Sequence, residues 1–471
     1  MDAPPRSPVD YPAVGLAGPS AGLPTKPAAQ RLVSLDVFRG ITIAGMILVN
    51  NPGTWSSLYS PVRHADWNGL TPTDLVFPFF LFIVGVALPF SFDRRRAAGA
   101  SRVRLFEHVV RRSLIIFALG LILAGFPYWP QLAGFFGVAP PWNWQAWRLI
   151  LPYIAVIVGL AVLFIDEPPL AWPASAAGRG RKIFAGLLVL GAAIYFTADF
   201  GYFQEQKLRV PGVLQRIAIC YFFVSLIVLF TGVRGRVLWT LALLAGYWAI
   251  VKYLAAPAGY EMPGMAERPT GVLHDWLDAK LFGNHLYHER PDPEGLLSTI
   301  PALATVLIGV LAGNWLRSRR EQADKVGWLF LAANVLLVAG LWLGLDFPLN
   351  KKIWTSSYVL VTGGLALHFL AACYWLVDMK GYRRWAVPFL VFGTNAIAVY
   401  FASGIGARIL GSIMLHLTDG SSVILKTYLY QSYLASWAPP ALASLLWALA
   451  YVFVWCLLMT PLYWRRVFIK I

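Results

Sequence analysis

The sequence predicts an all-α polytopic membrane protein of about twelve transmembrane helices, with both termini in the cytoplasm. Three observations predict it. Of 471 residues, 58% are hydrophobic and 13% charged, with a mean hydropathy of +0.61, more apolar sequence than an ordinary soluble core can bury. Apolar stretches of roughly 17–25 residues, the length that crosses a bilayer as a helix, recur along nearly the whole chain. The basic residues gather in short clusters between alternate stretches, as the positive-inside rule requires.

That last pattern also decides what the net charge of +16 means. The basic residues do not line an amphipathic face, so membrane orientation accounts for them and no nucleic-acid partner is expected. Cys220, Cys373 and Cys456 all fall inside apolar stretches, which leaves neither a disulfide framework nor a thiolate metal spacing, and they read as packing residues.

Residues 1–30, with seven prolines from Pro4 to Pro27 among Ala, Gly and Ser and no apolar signal-peptide core, read as a disordered cytoplasmic tail. Residues 31–471 read as one membrane domain. Its spans are expected near 38–56, 72–92, 113–130, 148–165, 183–200, 211–232, 236–255, 296–316, 326–345, 355–377, 385–414 and 439–461. With an inside start, the even-numbered loops collect the arginines, including Arg94, Arg95, Arg96, Arg111, Arg112, Arg317, Arg383, Arg384 and Arg465. The opposite loops carry the acids, aromatics and histidines.

Polar residues in or at the lip of a membrane domain are expensive, so their clusters are functional candidates. The densest opens with Asp36 and Arg39, continues at Asn50 and Asn51, and closes in RHADWNGLTPTDLVFP with His64, Asp66, Asn68 and Asp74. His64 is the group that can take a proton near neutral pH, with Asp66 or Asp74 to fix its tautomer, and Asn50 could donate to a developing oxyanion. The alternative is an interfacial loop histidine beside a turn at Asn68-Gly69.

A second cluster, GNHLYHERPDPEG, holds His285, His288, Glu289, Asp292 and Glu294. Its prolines argue for a loop, where the histidine spacing carries little metal signal, and a carboxylate-lined pocket for a cationic or polyhydroxylated ligand fits better. No metal is expected. In LRVPGVLQR, Arg216 falls inside the membrane domain, either pairing with an acid such as Asp74 or lining the path of an anionic ligand. In FPLNKKIWTSSY, Lys351 and Lys352 place positive charge on the outward face, against the topology rule, where a snorkelling interfacial pair is the simple account. P-loop, G-x-S-x-G and HExxH motifs are absent from the sequence.

The segments RLVSLDVFRGITIAGMILVN, RHADWNGLTPTDLVFPFFLFIVG, LRVPGVLQR, YHERPDPEGLLSTIPA, FPLNKKIWTSSYV and YWRRVFIKI, in this order, resemble the transmembrane acetyltransferase family of heparan-alpha-glucosaminide N-acetyltransferase. The resemblance runs from about residue 31 to 471 and implies transfer of the acetyl group of cytosolic acetyl-CoA to a glucosamine-type amine across the membrane. It implies His64 and Asn50 as catalytic residues and Asp74, Asp292 and Glu294 as substrate-binding. The match is to a member without the family's lumenal domain, and 126–205 reads as a two-helix insert. Arg39, Arg111, Arg112 and Arg465, with Arg216 along the path, are the phosphate partners expected for acetyl-CoA. A homodimer is a further implication, and the short tail with no targeting signal points to a bacterial inner membrane.

Two rival functions share this architecture: a transporter for amino sugars, and an acyltransferase for cell-envelope polymers with another donor.

Overall fold

The computed structural model describes residues 32–125, 209–260, 271–418, 421–467 and 469. The expected tail, the two spans at 148–165 and 183–200 and the insert that holds them lie outside the described residues.

In lipid, backbone N–H and C=O groups must be satisfied within the segment, so apolar spans fold as helices. The described helices are α1 (Val33–Asn50), α2 (Val76–Ala97), α3 (Arg102–Gly125), α4 (Val213–Phe230), α5 (Val233–Tyr253), α6 (Val272–Phe282), α7 (Leu296–Leu316), α8 (Gln322–Leu343), α9 (Ser356–Cys373), α10 (Val387–Thr394), α11 (Ala396–Leu410), α12 (Leu425–Tyr430) and α13 (Pro440–Trp464). A short antiparallel hairpin, β1 (Met414–His416) with β2 (Ser422–Ile424), precedes α12. Eight helices are long and apolar enough to cross a membrane, or nine if the bent pair at 384–410 is one span. The expected span at 236–255 is helical as α5, but Arg236 and Lys252 leave it less apolar than the rest.

Three expected spans differ from the observed helices. The first ends at Asn50 rather than 56, because Pro52 keeps Asn51 out of the helical region and Gly53 binds instead to the backbone of Ser444 on α13. The third begins at Arg102, inside the basic segment, where the Ser101 side chain accepts from the Arg104 amide. The span expected at 385–414 is broken by 76° at Asn395. The Asn395 amide donates to Val467 O at 3.1 Å and accepts from the Ile469 amide at 2.7 Å, so the chain after α13 holds the break.

Helix packing rests on missing side chains. A Cβ on Gly40 would lie 1.7 Å from Phe389 O, and one on Gly393 would lie 1.9 Å from Asp36 O, so α1 and α10 touch backbone to backbone. Gly85 on α2 meets Val306 O at 2.0 Å, and Gly309 and Gly313 on α7 meet Phe82 O at 2.1 Å and Val86 O at 2.5 Å. Small residues four apart are the usual means of such close approach in lipid, where packing rather than water drives association. Around these seams Phe38, Phe82, Val86, Val310, Tyr358 and Leu370 form a fully buried core.

The helices alternate in direction. One end of the described bundle therefore carries Arg94, Arg95, Arg96, Arg317, Arg319, Arg320, Arg383, Arg384 and Arg465, while the other carries the longer segments 51–75, 271–295 and 344–355.

Gly309→Leu is expected to cost about 1–3 kcal/mol or more by forcing α7 off α2. Gly246→Ala, on an α5 position with nothing within 4 Å, is expected to hold or raise stability by up to about 1 kcal/mol. Thermal unfolding of the two variants in one detergent checks the contrast.

Candidate active site

The sequence after α1 folds back over the end of the bundle. Thr54 exchanges hydrogen bonds with the Ser444 side chain at 3.1 and 2.9 Å, and Lys426 donates to Pro52 O at 2.9 Å. Farther along, the Gly69 amide donates to Leu349 O at 2.8 Å and Asn350 donates its side-chain amide to Asn68 at 3.1 Å. Gly69 has φ +122°, a conformation that a side chain would strain, and it turns the chain into Thr71-Pro72. A 3₁₀ turn, Pro72–Leu75, then leads into α2 with Thr71 and Asp74 as a capping box.

Asp74 is the centre of this arrangement. It is fully buried, and its Oδ2 accepts from the Ala65 amide at 3.1 Å, the Thr71 amide at 3.1 Å and the Thr71 hydroxyl at 2.9 Å. Its Oδ1 lies 2.6 Å from His64 Nδ1, and the Tyr358 hydroxyl donates to its backbone oxygen at 2.6 Å. The His64 side chain is 41% exposed, so one ring edge is held inside the protein and the other is open. A buried carboxylate on Nδ1 is the arrangement that orients an imidazole and leaves Nε2 to act as a base.

Lys351 completes the set. Its Nζ lies 2.9 Å from His64 Nδ1, 3.3 Å from Nε2 and 3.4 Å from Asp74 Oδ1. Burial pulls this ammonium below the ordinary lysine range, against the opposing charges of Asp74 and Glu294. The sequence signal for it was the exception to the positive-inside rule, which alone did not say that Lys351 would reach His64.

Asn50 lies elsewhere in the geometry. It is the exposed last residue of α1, and it makes no hydrogen bond with His64. Asp66 and Arg63 are exposed on the same loop as His64, so of the two acids considered for tautomer control it is Asp74 that is in place.

The second cluster is an ion-pair network. Arg209 binds Asp292 through Nε at 3.1 Å and Nη2 at 2.5 Å, reaches Glu294 as well, and stacks over the Tyr287 ring at 4.4 Å. Burial opposes the charge of Arg209, but the two carboxylates outweigh it and hold its pKa above the usual arginine value. Asp275 pairs with Arg290, and Glu289 with Lys352 at 2.9 Å. Among the described residues no group of three or more His, Cys, Asp or Glu side chains could hold a metal.

Arg216 does not reach Asp74. It is 1% exposed, donates through Nη2 to Gly295 O at 3.0 Å and to Ser298, and lies over the Trp354 ring at 5.2 Å. Among the described residues its Nε and Nη1 have no hydrogen-bond partner. The remaining arginines considered for phosphate contact occupy the basic half: Arg39 binds Asp36 at 2.8 Å and Gly393 O at 3.2 Å, Arg112 stacks over Tyr221 at 4.8 Å, Arg111 is half-buried beside it, and Arg465 is exposed after α13.

Near Arg216, Asp278 accepts from the Leu296 amide at 2.9 Å while its other oxygen has no partner. Burial, reinforced by Asp292 and Asp275, pushes its carboxyl up to about 7.

The chain has counterparts of known name. Residues 31–177 match the family described as heparan-alpha-glucosaminide N-acetyltransferase, catalytic, and that segment includes Arg39, Asn50, His64, Asp74, Arg111 and Arg112. Relatives include the heparan-alpha-glucosaminide N-acetyltransferase of Mus musculus, 27% identical over 424 residues, and that of Homo sapiens, 27% identical over 420 residues. These alignments cover 79% of this chain and 53% and 52% of the relatives, so the chain spans about half the length of the proteins it matches.

A raised carboxyl favours folding most below its unfolded pKa, and that contribution is lost as pH rises through the folded value. For Asp278 the window runs from about 4 to about 7. Asp278→Asn is therefore expected to flatten the loss of thermal stability between pH 4.5 and 8, measured by unfolding in detergent at each pH.

Proposed function

We propose that this heparan-alpha-glucosaminide N-acetyltransferase-like membrane protein transfers the acetyl group of acetyl-CoA to the amine of a glucosamine-type sugar. The observation that carries the reading is the half-open His64 with Nδ1 on the buried carboxylate of Asp74, inside the segment that matches the catalytic family model. An acid-paired imidazole at the lip of a bundle has a use in proton abstraction that packing does not require.

In the proposed reaction the sugar amine attacks the thioester carbonyl while His64 Nε2 takes its proton. The C–S bond then breaks, and the proton passes to the departing CoA thiolate, leaving the amide and free CoA. Asn50, exposed at the end of α1, is proposed to donate to the tetrahedral oxyanion once substrates are seated. Asp74 serves His64 rather than the sugar. Glu294 is proposed to offer sugar hydroxyls the acceptor capacity that Arg209 leaves, while Asp292, buried and accepting from Arg209 and the Tyr287 and Glu294 amides on both oxygens, is proposed to serve the sugar by holding that loop in place.

Acetyl-CoA is proposed to enter at the basic end, where Arg39, Arg111, Arg112 and Arg465 supply guanidinium groups for its phosphates, with Arg216 nearer the reacting end. That assignment makes the basic end cytoplasmic and the His64 end outward, by the positive-inside rule. It carries with it about twelve spans, cytoplasmic termini, a place in a bacterial inner membrane and a homodimer as further parts of the proposal.

One observation favours a second reading. The α10–α11 pair breaks by 76° at Asn395, and broken helices of this kind build midplane substrate sites in transporters. Transport of an amino sugar without chemistry would use the same polar end of the bundle.

Purified protein with radiolabelled acetyl-CoA and glucosamine separates the two. Label is expected on the sugar amine, and His64→Ala is expected to lower transfer by about 10²–10⁴-fold. Asp74→Asn, which forces the other tautomer, should approach the same loss. Saturable glucosamine binding with no labelled product, or near-normal turnover in His64→Ala, would decide against the transferase.

A further inference from the structure

We infer that Lys351 is a positioning residue that keeps the His64 imidazole neutral, so that Nε2 presents a lone pair to the incoming amine; the inference rests on the acetyl transfer proposed above.

Each nitrogen of the imidazole ring can make one hydrogen bond, as donor or as acceptor. Asp74 Oδ1, 2.6 Å from Nδ1, can only accept when ionised, so Nδ1 carries a proton and donates it. An ammonium has three donors and no lone pair. Lys351 therefore cannot be receiving anything from Nδ1, although its Nζ stands 2.9 Å away. The acceptor left to it is Asp74 Oδ1 at 3.4 Å. Its positive charge stands 2.9 Å and 3.3 Å from the two ring nitrogens, too evenly placed between them to lie along the Nε2 lone pair, which stays open.

A second proton on the ring changes the balance of charge. Asp74 alone would welcome an imidazolium, as any buried carboxylate beside a histidine does. With Lys351 in place, an imidazolium would stand within 3.3 Å of a second cation. The Lys351 side chain is 18% exposed, so water does little to screen that repulsion. The neutral ring is thereby preferred, and it is the neutral ring that can take a proton from the amine.

The other charges facing this group are accounted for. Asp74 comes from the turn before α2, Glu294 acts on Lys351 from the segment ahead of α7, Lys352 is its chain neighbour, and Arg63 and Asp66 are exposed on the loop of His64 itself. Glu294 is bound to Arg209 and Lys352 to Glu289, so neither replaces Lys351 at the ring.

Lys351 is held for this purpose by backbone that the sequence builds deliberately. Asn350, 1% exposed, accepts from the Ile353 amide at 3.1 Å and ties the segment to Asn68, while Trp354 takes φ +54° and donates to Thr305 at 3.2 Å. A snorkelling surface lysine needs no such frame.

The test follows the protonation of His64 directly, by NMR of isotope-labelled histidine in nanodisc-embedded protein, with His64→Ala to assign the signal. Lys351→Met is expected to move the His64 midpoint to higher pH by about one unit, and the acid limb of kcat/KM by the same amount. Lys351→Arg, which keeps the charge, should leave both near the parent values, as should Lys352→Met. Lys351→Gln is run in parallel in case the methionine variant does not fold. An unmoved His64 midpoint in both neutral variants would overturn the inference, as would an activity loss equal at every pH. Because the NMR needs no turnover, a moved midpoint in a protein that makes no acetylated sugar would uphold the Lys351–His64 relation and remove the transferase reading instead.

Discussion

The carboxylate of Asp74 is the interaction on which this end of the molecule depends. Buried without partners it would carry a penalty that the fold could not absorb, so the structure surrounds it with donors. Two backbone amides, one hydroxyl, an imidazole and an ammonium converge on its two oxygens. Those donors come from two separate pieces of chain, the 51–75 loop and the segment ahead of α9. One buried acid therefore fixes the register of a long loop against the bundle and sets His64 at its rim. Tyr358, donating to the Asp74 backbone oxygen from inside the bundle, ties the same point to α9.

That loop could not be placed with such precision on a loose scaffold. The helices beneath it meet at glycine, where α1 touches α10 and α2 touches α7 with backbone against backbone. A contact of this kind has no side-chain rotamers to exchange, so the upper ends of α1, α2 and α7 are set relative to one another by the main chain itself. The break at Asn395 extends the same logic. Breaking a helix within the membrane frees carbonyl groups, and Gly393 O is satisfied by Arg39, one of the arginines expected to serve phosphate. Arg39 is thus already engaged structurally while facing the basic end.

Much of this was legible in the sequence, and the reasons are specific. Apolar length and the alternation of arginine clusters located the helices because both are dictated by the bilayer, which acts on every span alike. The bend at Asn395 was not legible, since no proline marks it and the chain that holds it open lies some seventy positions away at Val467 and Ile469. The early end of α1 was in principle readable from Pro52. In the site, His64 was readable as a base, but its partner was left open between Asp66 and Asp74, and the resemblance gave Asp74 to the substrate; only the fold, which buries Asp74 ahead of α2 and leaves Asp66 exposed, separates them. Lys351 was visible only as a violation of a topology rule, because the contact it makes crosses 287 residues of sequence.

The same rule explains why the violations are tolerated. Five cations at the His64 end are held by acids of the protein: Arg209 by Asp292 and Glu294, Arg290 by Asp275, Lys352 by Glu289, Lys252 by Asp346 and Lys351 by Asp74. A cation neutralised in place contributes little to orientation, so these residues can sit opposite the arginine-rich end without reversing it. Of the acids and arginines buried deepest, Asp74, Asp292 and Arg216 come from segments the sequence had marked as polar clusters, while Asp275 and Asp278 do not. The half-open His64 imidazole stands between two neighbours of opposite sign, Asp74 and Lys351. On the proposed reaction, a site built this way relies on proton transfer rather than on charge attraction.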